Sequence, residues 1–461
     1  MKKHALLLMS LLAAVSHADA NAQTPNPTDA PAVTRPRTVA GTRQDAAPQT
    51  PARDAAAPPA GQGQDAPRQN TNATQTPAAS QTPTNRTQTG APAVPPVTST
   101  LPPPSQTSPA APAVVPVYTP APLQPARPLG LVKARTRIAE TQRLMKTRLT
   151  PTAFTSTSLV TIAALDQESS QVHMLTFPKQ TLLTKGADVL LTSSLGTQLR
   201  LRIVRPNYVN TSVVVADTSG RQLTPLLVEY PIEKFGRFRE MAYYTSAHPA
   251  LVSPEVVKAG QAYVRSMLDL AHERLKSKGV HIAPALVDIA ERLCVVEHVD
   301  HQRFLNENRL AIYEEVYALY ALNELDTYRY SVSSAGAGGM VQMIPSTYQI
   351  LRRLYPGVGL NPDFVAGMRN HGNALEAMLL YIQMTWNELQ ADPDASYAYK
   401  SGLATQAELI AAGYNSNPSR LGGRIRRGGT NWRTAIPRET QMYLQIYKSF
   451  ESLVQLKTRA S

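Results

Sequence analysis

The stretch "SSAGAGGMVQMIPSTY", residues 333–348, holds Gly336, Gly338 and Gly339 within four positions, and an apolar run carrying one amide, Gln342, follows at once. Glycine loses more chain freedom on folding than any other residue. The cluster therefore implies either a sharp backbone turn or a close approach by something outside the chain. A second feature is a carboxyl. The run "PALVDIAERLCVVE" places Leu293, Cys294, Val295 and Val296 in succession and closes on Glu297. A helix apolar on all sides is a buried one. A carboxyl at its tip loses hydration, and that raises its pKa toward values at which it keeps a proton near neutral pH. The neighbouring "EHVDH" admits a metal reading through His298, Asp300 and His301, since His at i and i+3 share a helix face. HExxH spacing and a cysteine pair are both missing, so no metal and no cofactor is expected.

These residues lie in a helical C-terminal region expected over 250–455. Its first helix opens with Ser253 as cap and Pro254 at the first turn, and stops at Gly279. Preceding it, "TQLRLRIV" alternates Leu199, Leu201 and Ile203 with Arg200 and Arg202, one face inward and one toward water. With Leu159–Leu165, Val172–Phe177, Val189–Thr192 and two strands around an Asp217–Gly220 turn, about six short strands form a small all-β sandwich or barrel over 151–235. No catalytic feature stands out in this module, and a docking or spacing role, with an envelope protein as partner, is expected of it. A basic helical segment at 129–150 carries Lys133, Arg135, Arg137, Arg143, Lys146 and Arg148 against Glu140 alone.

Residues 23–128 hold 24 of the 38 prolines and are otherwise rich in Ala, Thr and Gln, a composition unable to offset its ordering entropy and so expected to be disordered. The first 22 residues, with Lys2 and Lys3, an apolar run Ala5–Val15 and small residues at Ala18, Ala20 and Ala22, read as a signal peptide. The chain is thus expected to be exported to the periplasm or cell envelope, with no transmembrane segment. Cys294 is the single cysteine, so an internal disulfide is impossible. The net charge of +13 suits polyanions, and in an exported chain these are cell-wall polymers, stem-peptide carboxylates and lipid headgroups. Nothing reads as a nucleic-acid fold.

Three motifs in order over about 110 residues resemble those of the soluble lytic transglycosylases, within the goose-type lysozyme superfamily. The first is Ser333, Gly336-Ala337, Gly339, Met340, Gln342 and Pro345-Ser346-Thr347; the second Tyr414-Asn415; the third Pro437, Glu439, Thr440 and Tyr443. The resemblance covers only the C-terminal part of the chain. It implies a lysozyme-like domain that cleaves the MurNAc-β-1,4-GlcNAc bond of peptidoglycan glycan strands and leaves a 1,6-anhydro end. It also implies one Glu doing all proton work, with the substrate's acetamido group in place of a second carboxylate. The glycines would then lie against the sugar, Gln342 would offer it an amide, and Ser333, Asn415 and Glu439 would line the groove. Tyr414 would point its hydroxyl at the catalytic carboxyl.

Two acids compete for the catalytic place. Glu324 lies twelve residues before Gly336, the spacing the resemblance implies, but Leu325 and Thr327 depart from the family's Ser and aromatic residue, and Asp326 adds a carboxylate nearby. Glu297 has the plainer desolvation, at the expense of an insertion of about 27 residues holding one more helix, and is preferred on that ground. Asn417 stands where the family has glycine, and Gly413 where it has alanine. The arginine-rich "SRLGGRIRRGGTNWR" reads as a contact for stem-peptide carboxylates or as a solvated loop. A non-catalytic wall-binding scaffold and a hydrolytic muramidase on the same fold are the rival readings.

Overall fold

The computed structural model describes residues 121–148 and 157–460. The signal peptide, residues 23–120 of the linker and the start of the β module lie outside the described residues. Residues 121–128, read from sequence as linker, are held on the β module: the Gln124 amide donates to the Gly220 carbonyl at 2.9 Å, and the Gln222 side chain donates to the Gln124 carbonyl at 2.6 Å. Gly220, at φ +83°, leaves room for them, since a Cβ there would stand 2.2 Å from the Pro122 carbonyl oxygen.

The basic segment is a helix, α1 (Leu131–Arg148). It buries Ala134, Ile138 and Met145 against Ala163, Leu165, Leu226 and Leu227 of the β module, so its 3–4 spacing of apolar positions faces inward and its cations remain outside. Seven antiparallel strands follow: β1 (Leu159–Leu165), β2 (Val172–Pro178), β3 (Asp188–Thr192), β4 (Gln198–Arg205), β5 (Ser212–Ala216), β6 (Gln222–Lys234) and β7 (Arg237–Tyr244). Their order is β2-β1-β6-β5-β4-β3, with β7 on the other part of β6, and they form a nearly closed barrel. Near the gap, Ser194 donates its amide to the Met174 carbonyl at 2.9 Å. The alternation read in β4 is observed, with Leu199, Leu201 and Ile203 inside.

The sequence-based boundary at 235 stops one strand short. β6 and β7 join through Phe235-Gly236, both at positive φ (55° and 70°), a two-residue turn of the kind that matches strand twist. Such a turn usually shows Asn-Gly or Asp-Gly; Phe at its first position hides the signal.

In the helical region, the named helices are α2 (Pro254–Ser277), α3 (Pro284–Val296), α4 (Arg309–Asn323), α5 (Pro345–Leu354), α6 (His371–Ala391), α7 (Gln406–Asn415) and α8 (Arg438–Leu453). Among the described residues no helix is long and apolar enough to cross a membrane. Helix α2 starts where expected, with the Ser253 hydroxyl accepting from the Val256 amide and Pro254 in the first turn. Helix α3 is buried almost all round, with Leu286, Val287, Ala290, Leu293, Cys294 and Val295 at 0–1 % exposure.

Barrel and helices share one core. The Thr245 amide donates to Asn323 Oδ1, and Asn323 Nδ2 donates to the Thr245 carbonyl, both at 2.8 Å. Glu240 of β7 reaches Arg369 at 2.5 Å and Arg329 at 3.2 Å, and both guanidiniums lie over the Tyr330 ring. Glu240 thereby ties the two modules together.

Helices α2 and α4 meet at Gly260, where a Cβ would stand 1.9 Å from the Tyr317 carbonyl oxygen. Backbone cannot yield as a side chain can, so Gly260→Ala should cost about 3 kcal/mol. Chemical denaturation is expected to show that loss, whereas an unchanged midpoint would refute the close α2–α4 contact.

Candidate active site

Glu297 caps the C-terminal end of α3 with its amide bonded to the Leu293 carbonyl at 3.0 Å. Its carboxyl stands where two cavities meet. One, of about 690 Å³, runs through the helical region past Ser333, Tyr381, Glu388, Tyr414, Asn415 and Glu439. The other, of about 1330 Å³, opens between the helices and the barrel. Glu297, Val299 and Gln342 line both.

Burial of Glu297 raises its pKa to about 8, a hydrogen bond from Tyr443 opposes that rise, and the nearby charge of Glu439 adds to it. The Tyr443 hydroxyl donates to Glu297 Oε1 at 2.5 Å. The C-terminal end of a helix carries partial negative charge, which also disfavours the carboxylate form. Glu297 is only partly buried, so its acid group reaches the cleft while most of its surroundings are protein.

The next residue holds the wall. His298 Nε2 lies 2.9 Å from the Met340 carbonyl, so that nitrogen carries the proton, and the ring stacks on Tyr328 with centroids 3.5 Å apart. Burial lowers the His298 pKa to about 4, and the imidazole is neutral. Asp300 caps the short helix His301–Asn306 through the Arg303 amide. His298 and Asp300 of "EHVDH" thus have separate structural tasks.

The glycine stretch serves the chain more than the cleft. Gly339, at φ +69°, is pressed against the Met368 carbonyl, 2.5 Å from where its Cβ would be. Gly336, at φ +78°, turns the chain, its amide bonding the Ser333 carbonyl at 2.9 Å. Met340 is fully buried. Gly336, Gly339 and Met340 line neither cavity, which corrects the expectation of a bare glycine shelf. The turn they make delivers Gln342, itself left-handed at φ 44° and ψ 41°. Its Nε2 donates to the Gly339 carbonyl at 2.7 Å, leaving Oε1 without a protein partner among the described residues. Ser333 and Ala337 remain on the cavity wall, the Ser333 hydroxyl accepting from the Ala337 amide at 3.0 Å.

Two further expectations need correction. The Tyr414 hydroxyl donates to the Val341 carbonyl at 2.6 Å, not to the acid. Tyr443 takes that place, one helical turn after Glu439 on α8, an i,i+4 pair on one face that the sequence offered without marking its role. Glu324 lies outside both cavities and pairs with Arg135 of α1 at 2.7 Å. It sits at the C-terminal end of α4 with φ 43°, away from the acid at the tip of α3. The arginine-rich stretch also turns elsewhere. Arg433 pairs with Glu408, and Arg420, Arg424, Arg426 and Arg427 line neither cavity.

No family model, no curated protein and no solved structure matches the chain. The site's chemistry therefore rests on its own geometry: a protonatable acid in a dry wall, held by a tyrosine, between two open cavities.

The acid leaves a signature in stability. Its pKa of about 8 in the fold exceeds the ordinary value of 4.5, so the folded chain keeps a proton that the unfolded chain has lost. Stability contributed by this group is complete below pH 4.5 and drains away as pH rises through about 8. Glu297→Gln lacks this loss. Measured by denaturation, the variant should match the parent near pH 4.5 and exceed it by about 2 kcal/mol near pH 9, the shift being discounted for cleft water. A gap that does not change with pH would count against the buried acid.

Proposed function

We propose that the chain is a peptidoglycan lytic transglycosylase acting in the periplasm or cell envelope, its helical region a lysozyme-like domain and Glu297 its sole acid and base. The observation that carries this reading is the junction of the two cavities at a carboxyl whose pKa lies near 8. A polymer can pass through such a junction and present an internal bond to the acid.

The protonated Glu297 donates to the glycosidic oxygen as the bond to the muramic acid anomeric carbon breaks. The substrate's own acetamido oxygen supports the resulting cation. The Glu297 carboxylate then accepts the proton of the 6-hydroxyl while that oxygen closes on the anomeric carbon. One bond is broken, one is made, the acid is regenerated, and no water is consumed. Tyr443 orients the carboxyl and moderates its pKa, since its hydroxyl stabilises the charged form between the two steps. Gln342 Oε1 and the Ser333, Tyr414 and Asn415 walls offer polar and apolar surface to the sugars.

A hydrolytic muramidase is the second reading, favoured by Glu388 and Glu439, carboxyls that line the same cavity and are available to hold a water. Reducing-end analysis separates the two: hydrolysis leaves reducible muramic acid, whereas the lyase reaction leaves an anhydro ring.

Glu297→Gln should abolish release of anhydromuropeptides from purified sacculi by at least about a thousandfold. Glu324→Gln should retain most of the activity. The parent's rate should decline as pH rises through about 8, because the acid must start protonated. In Tyr443→Phe that decline should move to higher pH, since the hydroxyl lowers the pKa it touches. Full activity in Glu297→Gln, or its loss only in Glu324→Gln, would overturn the assignment.

A further inference from the structure

The larger cavity has one wall that the helical region does not supply. Tyr208, Arg205, Lys234, Arg239 and Glu240 of the barrel line it together with Glu297. Two of these positions follow irregularities in the sheet. Across β6 and β7, Ile232 pairs with Glu240 and Glu233 with Phe238, so Arg239 is an extra residue without a strand partner. Across β4 and β5, Ile203 pairs with Val213 and Arg205 with Ser212, so Val204 is another. A bulge of this kind breaks the strict in–out alternation and re-aims the side chains next to it. Here it allows the sequence neighbours Arg239 and Glu240 both to line the cavity. Glu240 is consumed by Arg329 and Arg369 in joining the modules, while exposed Arg239 has no ion-pair partner among the described residues. Close by on the same cavity wall, Tyr208 is 67 % exposed and held at φ 46°, a conformation that costs a bulky residue energy.

An unpaired guanidinium and an exposed aromatic ring lining the same cavity suit an acidic ligand with apolar surface: the planar fork takes a carboxylate in two hydrogen bonds, and the ring face packs on apolar surface. We propose that the barrel is half of the substrate site rather than a spacer, with Arg239 and Tyr208 selecting the peptide-bearing, carboxylate-rich part of the glycan strand that runs on from Glu297. This deepens the transglycosylase reading and rests on it for the identity of the polymer. The assignment places carboxylate recognition on the barrel, where the arginine-rich stretch after Tyr414 does not reach.

The test measures binding separately from cutting. The Glu297→Gln variant, full length, is titrated with glycan strands that keep their stem peptides and with strands stripped of them by an amidase. Peptide-bearing strands should bind at least about tenfold more tightly, in keeping with a charge-assisted bidentate contact. Adding Arg239→Glu should erase that preference, Arg239→Lys should retain part of it, and Tyr208→Ala should weaken binding of peptide-bearing strands. Equal binding of the two strand types, or a preference untouched by Arg239→Glu, would overturn the proposal even in an active enzyme. An Arg239-dependent preference in a chain whose parent cuts no glycan would uphold the barrel site while refuting the enzymatic reading.

Discussion

The site depends on removing one carboxyl from bulk water without sealing it away. Helix α3 does this by being buried along nearly its whole length and ending at the cleft, so Glu297 emerges from the driest part of the core onto the meeting point of two cavities. The buried apolar neighbours disfavour charge, and Tyr443 supplies the one hydrogen bond to the carboxyl among the described residues. Around the acid, the neutral His298 holds the Met340 carbonyl, and the left-handed Gln342 bonds back to the Gly339 carbonyl.

Positioning is distributed over elements far apart in the chain. Helix α8 brings Tyr443 from 146 residues away, and the tight turns at Gly336 and Gly339 set Gln342 opposite. The barrel is fastened to the helices by the reciprocal Asn323–Thr245 bonds and by Glu240 between two arginines. Such a join links specific residues of both modules, which a tether does not. A cavity wall borrowed from a neighbouring module is useful only when that module keeps its place, and these bonds provide the means.

Spacing pointed to Glu324, because a motif is counted along the chain, where burial and partners do not enter. Here the segment from His301 to Asp326 carries Glu324 to the far end of α4, against Arg135. The apolar run before Glu297 was a better guide, since burial follows from composition and does not depend on register. The glycines, expected to lie against sugar, serve the backbone instead, and what approaches Gly339 is the protein's own Met368 carbonyl.

Much of the architecture was legible in the sequence because it rests on local periodicity and composition. The period-two pattern of β4, the Ser253-Pro254 start of α2 and the all-round apolarity of α3 are properties of short windows. The β6–β7 turn escaped because Phe235 occupies a position where Asn or Asp usually marks the bend. What no window contains is which hydroxyl meets Glu297, whether Glu324 faces a cleft or a cation, and that barrel residues share a cavity with the acid. Those are contacts between segments separated by tens to hundreds of residues. They are decided by how helices and strands pack in three dimensions, where a one-residue bulge is enough to turn an arginine toward the site.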